Sequence, residues 1–172
     1  QMVTRDSNAL KTRTATGTLT LGVWNYWAIV LNTAGASADA RVKIFKDGTK
    51  LVLTEIAAHA TPLPSNATAV STMMDDTGAI FADGKMALLK VWTAELTEAE
   101  AFQEMNSYRP ARTVNLVLWS PYDDGASARD YSGSGNHGTV TGALQAPGPP
   151  VSYGGEARRW RRDPAERLWR LA

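Results

Sequence analysis

The stretch from Arg41 to Thr54 constrains the fold more than any other part of the chain. Arg41-Val42-Lys43-Ile44-Phe45-Lys46 alternates polar and apolar side chains, the period-two pattern of a strand with one apolar face. Asp47-Gly48 then accepts the positive φ angles of a tight two-residue turn, and Lys50-Leu51-Val52-Leu53-Thr54 returns. An antiparallel hairpin is the expected result.

Other segments extend the same pattern. Thr14 to Leu21 is rich in β-branched residues, and Trp24 to Leu31 (WNYWAIVL) follows almost at once as a neighbouring strand. Residues 57–72 hold two prolines among small polar residues and predict an irregular connection, and Met73 to Gly78 predicts a strand end and a turn. Lys85 to Trp92 fits either period, but it is short and follows Asp83-Gly84, which favours a strand. Thr97 with Glu100 forms a capping box that starts a helix running to about Ser107, with Leu96 placed to staple against Ala101. Phe102 and Met105 give that helix an apolar stripe, Glu98, Glu100 and Glu104 a solvated face, and Pro110 closes the region. Val114 to Trp119 then predicts a buried strand, Pro121 to Asp130 a loop, and Asn136 to Gly142 a short strand. Seven or eight strands to one helix, with turns at short intervals, favour an all-β sandwich over alternating α/β.

Composition narrows the chemistry. The 172 residues contain no Cys and two His, at positions 59 and 137, so disulfides, thiolate zinc sites and a cysteine nucleophile are excluded and a histidine-rich metal site is disfavoured. Lys and Arg number 18 against 17 acids. That balance gives no global field for nucleic acid or an anionic membrane, and no apolar run is long enough to span a bilayer. The charge is unevenly spread, however. Residues 1–155 carry 12 basic and 14 acidic side chains, whereas 156–172 carry six Arg and three acids. The domain division that follows is a β-sandwich over 1–144, a Pro/Gly linker over 145–155 (QAPGPPVSYGG) and a basic, Trp-containing arm over 156–172 (EARRWRRDPAERLWRLA).

Three pieces, in order, resemble the concanavalin A-like superfamily, specifically its laminin-G-like jelly-roll domains. The first is Trp24-Asn25-Tyr26-Trp27-Ala28-Ile29-Val30 followed by the strand that ends in Lys46-Asp47-Gly48. The second is Gly84 to Trp92, then Leu96-Thr97 and Glu100. The third is Leu116-Val117-Leu118-Trp119, then Asp130-Tyr131-Ser132-Gly133-Ser134-Gly135-Asn136-His137-Gly138-Thr139. Together they cover roughly residues 20–145. The third piece opens such a domain in the family and here follows the helix, so either a circular permutation or strands preceding Gln1 is expected. The resemblance implies a jelly roll of two antiparallel sheets with one short helix. It also implies a phage or bacterial surface setting, with localisation on a virion or outside the cell.

Jelly-roll glycosidases place acids at alternate positions of one strand, so that both carboxyls enter one cleft. No strand here carries that spacing, and neither His lies near a nucleophile elbow, which disfavours an enzyme. Laminin-G-like relatives often hold calcium with loop carboxylates, for which the candidates are Asp75, Asp76, Asp83, Asp123, Asp124 and Asp130. The acidic strand of those relatives reads Met86-Ala87-Leu88 here, and aspartates beside Gly and Ser also form Asx turns, so calcium is an option and no cofactor is required. Trp24, Tyr26 and Trp119 are the candidate sugar platform, set against the alternative that strand tryptophans pack in the core. Asn66-Ala67-Thr68 matches a glycosylation sequon and is expected to be incidental.

In the arm, Asp163-Pro164-Ala165-Glu166 reads as a helix start, followed by Leu168, Trp169 and Leu171. Trp160, Arg161, Arg162, Leu168 and Trp169 are the expected partner contacts, with a protein groove favoured over nucleic acid. The functional expectation is a non-catalytic structural or adhesion module, such as a phage structural protein, that assembles through this arm. A carbohydrate-binding module, with or without calcium, stands second and a polysaccharide hydrolase third.

Overall fold

The structure is a computed structural model that describes residues 3–6, 9–14, 22–32, 35–55, 83–122, 127–149, 160–162 and 169–171. Among the described residues the chain is all-β in class, built from short antiparallel strands with one helix of two turns and one of a single turn.

The expected hairpin is present. β4 (Val42–Lys46) pairs with β5 (Thr49–Lys50), with Phe45 opposite Lys50 and Lys46 opposite Thr49. Asp47 and Gly48 make the turn at φ 49° and 79°, the left-handed backbone that this dipeptide tolerates. Gly48 is doubly constrained, because a Cβ there would lie 2.6 Å from the Phe102 ring. β3 (Trp27–Leu31) pairs along the other side of β4, from Trp27–Lys46 to Leu31–Val42, which makes β4 the middle strand. α1 (Ala38–Arg41) lies in the connection between them and was not foreseen.

One face of this sheet carries the core. Ala28, Val30 and Phe45 bury against Leu96 and Ala101, with Tyr26 and Trp92 packed on the cluster. Leu96 and Ala101 are the expected staple of α2 (Glu98–Met105). The capping box is complete: Thr97 Oγ1 accepts from the Glu100 N–H at 3.2 Å, and the Thr97 N–H donates to Glu100 Oε2 at 2.8 Å. On the opposite face Val42 and Ile44 are also fully buried, while their β3 partners Leu31 and Ile29 stay about half exposed. The middle strand is therefore buried on both sides.

β7 (Leu89–Trp92) and β8 (Leu116–Ser120) form a second pair, irregular between Val91 and Trp92. β9 (Ser127–Ala128) and β10 (Gly138–Thr139) form a two-residue ladder.

Several elements depart from the sequence expectations. The strand expected from Trp24 begins only at Trp27, because the Tyr26 backbone is bonded to the turn instead: its N–H reaches Asp47 Oδ1 at 2.8 Å and its carbonyl accepts from the Asp47 N–H at 2.9 Å. The strand expected over Lys85 to Trp92 shortens to its second half, since Leu88 has φ 58° and breaks the extended run. The returning arm of the hairpin leaves its partner after Leu51, and β6 (Leu53–Glu55) joins a different sheet. There it pairs with β2 (Ala9–Thr14), which pairs in turn with β1 (Val3–Asp6), an N-terminal hairpin that was not foreseen.

The arm also differs. β11 (Trp160–Arg162) and β12 (Trp169–Leu171) make an antiparallel pair, so residues 169–171 belong to a strand and not to the expected helix; ladder hydrogen bonds across the pair replace those within a helix. The helix start at 163–166 lies outside the described residues, as do 15–21 and 57–78.

Candidate functional site

Two groups of polar side chains are held inside the fold. The first joins β7 to α2. Lys90 Nζ donates to Glu104 Oε2 at 2.6 Å and to the Ser107 carbonyl at 2.7 Å, and both side chains are buried. Glu104 Oε1 accepts the N–H groups of Ala111 and Arg112 at 2.7 and 2.9 Å. The Trp92 indole donates to the Arg112 carbonyl at 2.8 Å, and Arg112 Nη1 reaches the Glu95 carbonyl at 2.6 Å. Burial lowers the Lys90 pKa, while the hydrogen bond and charge of Glu104 oppose that shift. Tyr26 borders the same group: burial, then the Glu104 charge, raises its hydroxyl to about 12. Glu104, expected on a solvated helix face, is 2% exposed. Its place three residues after the stapled Ala101 puts it on the buried stripe, which is the sequence signal that marks it.

The second group surrounds Asp130, which is 5% exposed. Oδ1 accepts the Trp119 N–H at 3.0 Å and the Ser132 N–H at 2.8 Å. Oδ2 accepts the Ser132 hydroxyl and the Asn136 N–H, both at 2.9 Å. The Tyr131 N–H bonds the Trp119 carbonyl at 2.8 Å, and Asn136 Nδ2 bonds the Val117 carbonyl at 2.8 Å. The loop thus takes the backbone groups of β8 that point away from β7, standing in for a further strand. Burial pushes the Asp130 carboxyl up, but the donors from Trp119, Ser132 and Asn136 outweigh it and hold the pKa at about 2. The Asx turn expected of such an aspartate is present, and its carboxylate is bonded to its own loop and to the Trp119 N–H of β8. His137 Nδ1 accepts the Asp130 N–H at 3.0 Å, a structural role for the histidine.

The other sequence candidates are spread out. Asp83 is exposed, and Asp75, Asp76, Asp123 and Asp124 lie outside the described residues. Among the described residues no three His, Asp or Glu side chains gather to hold a metal ion. Trp24 is exposed at the surface, whereas Tyr26 packs inward on the core, so these two do not make a shared platform. Trp119 has different companions from those expected. Its ring meets Tyr131 at 5.8 Å between centroids and Tyr108 edge-on at 6.0 Å, and the Arg129 guanidinium lies 5.4 Å from the centre of the Tyr131 ring. Tyr131, Tyr108 and Arg129 were not singled out from sequence, although Tyr131 adjoins the Asp130 motif. In the arm, the register sets Trp160 opposite Leu171, Arg161 opposite Arg170 and Arg162 opposite Trp169, while Leu168 is outside the described residues.

Comparison with protein-family models, curated proteins and solved structures returned no match. No helix among the described residues is long and apolar enough to cross a membrane.

Proposed function

We propose that the chain is a non-catalytic structural or adhesion module of the laminin-G-like jelly-roll type, carried on a virion or cell surface and joined to its neighbours through residues 156–172. The observation that carries this reading is the arm hairpin. Residues 141–148 are exposed without interruption, and beyond them the arm pairs only with itself among the described residues. A lone two-stranded ribbon is marginal in water. The register also sets Arg161 opposite Arg170, and like charges at directly paired positions weaken a ladder. Both costs fall when the ribbon packs on a neighbouring subunit that supplies apolar surface and acidic groups. Deleting residues 156–172 is expected to reduce the assembled mass measured by multi-angle light scattering. Unchanged assembly would remove the arm from this role.

A second reading, carbohydrate binding, is favoured by the Tyr108, Trp119 and Tyr131 ring cluster, because pyranose faces stack on such rings.

A further inference from the structure

We infer that the surface formed by Tyr131, Trp119 and Arg129 is a binding site for a carboxylate-bearing sugar unit of a glycan, a specific form of the carbohydrate-binding reading on which it rests. The platform is fixed before any ligand arrives. Tyr131 is held through its own N–H to the Trp119 carbonyl, and the preceding residue, Asp130, is bonded at both carboxylate oxygens. The residue nevertheless remains 44% exposed, with the Trp119 ring packed at 5.8 Å and Tyr108 edge-on to Trp119 in turn. An exposed ring on an immobilised backbone is the kind of surface on which a ligand loses little additional entropy.

The cation gives the preference its sign. Arg129 is exposed, and its guanidinium carbon lies 5.4 Å from the centre of the Tyr131 ring. Among the described residues it has no carboxylate partner, unlike Lys43, Lys46, Lys90 and Arg112, which pair with Glu95, Asp47, Glu104 and Glu100. The nearby Asp130 charge is already taken by four donors. A planar guanidinium with free donors beside an aromatic face matches a sugar ring bearing a carboxylate: the ring lies against Tyr131 and the carboxylate meets Arg129 through paired N–H groups. The turn that follows exposes Ser134, Asn136 and His137, polar groups suited to sugar hydroxyls. A nucleic acid would also stack on Tyr131, but it needs a track of cations for successive phosphates. Residues 1–155 carry more acids than bases, which disfavours that ligand.

The test is isothermal titration calorimetry on the full chain with three acidic glycans (an oligogalacturonate, a hyaluronan oligosaccharide and sialyllactose). The methyl ester of the oligogalacturonate and an oligothymidylate serve as controls. At least one acidic glycan is expected to bind. For it, Arg129→Gln and Tyr131→Ala should each weaken binding roughly tenfold, with Tyr131→Phe close to the parent and circular dichroism unchanged. If oligogalacturonate binds, esterification should weaken it to the same degree as Arg129→Gln. Binding that ignores the ester and both substitutions would overturn this site while leaving the carbohydrate reading intact. No binding to any of the three acidic glycans would overturn this site, and no binding to the neutral methyl ester either would count against the carbohydrate reading as well. Oligothymidylate binding lost in Arg129→Gln, without glycan binding, would reassign the surface to nucleic acid.

Discussion

Glu104 and Asp130 are both buried carboxylates, yet the fold accommodates them in opposite ways. Glu104 sits on a helix and shares its charge with the Lys90 ammonium, so the buried pair is neutral overall, and its second oxygen gathers the N–H groups of Ala111 and Arg112. The Asp130 carboxylate sits in a loop and among the described residues meets no cation; backbone N–H groups and one hydroxyl supply its four hydrogen bonds. Burying a charge is costly unless every lone pair finds a donor. A helix leaves no free N–H groups along its middle, so Glu104 recruits a lysine from a neighbouring strand and a separate loop. A Gly- and Ser-rich loop can fold its own N–H groups around a carboxylate, so Asp130 takes only one donor from another element, the Trp119 N–H of β8.

This contrast predicts different responses to removing each group. Glu104→Ala strands the Lys90 ammonium in the interior and is expected to cost about 3–5 kcal/mol in urea unfolding. The double variant Lys90→Met with Glu104→Leu should recover much of that loss. Equal stabilities for the single and double variants would show that the charge pair is not what organises this corner. Asp130→Asn keeps the shape but loses the charge, for an expected cost of roughly 1.5–3 kcal/mol. Because the folded pKa of Asp130 is about 2 and the free value is 3.8, its stabilisation is present above the free value and is lost as pH falls from about 4 to about 2. Calorimetric melting temperatures across that window should fall more steeply for the parent chain than for Asp130→Asn. Parallel curves would contradict the four-donor account. Thr97→Ala acts on α2 only at its start and should cost about 1 kcal/mol, separating loss of the cap from loss of the buried pair on the same helix.

Local signals in the sequence were the ones that could be read. Asp47-Gly48, the Thr97 and Glu100 box, and the Leu96 and Ala101 staple act over four or five residues, and each takes the expected form. The Asx role of Asp130 was also legible, since Ser132 lies only two residues away. The extent of strands was less so. Leu53 and Thr54 look like the continuation of a hairpin, but their partners are Thr14 and Arg13, about 40 residues earlier in the chain. The candidate binding surface was half visible: Trp119 could be named, but its contacts with Tyr108 and Tyr131, and the place of Arg129 beside Tyr131, depend on how two loops fold back.

The sequence by itself determined the strand-rich class, the turn at Asp47-Gly48 and the first turn of α2, because these follow from φ preferences and hydrogen bonds between near neighbours. Only the tertiary structure decided that Glu104 is buried, that Tyr26 turns inward and that Arg129 lies over Tyr131. Those outcomes depend on which distant segments exclude water from a side chain and which donors they bring to it, and chain-local patterns do not encode that competition.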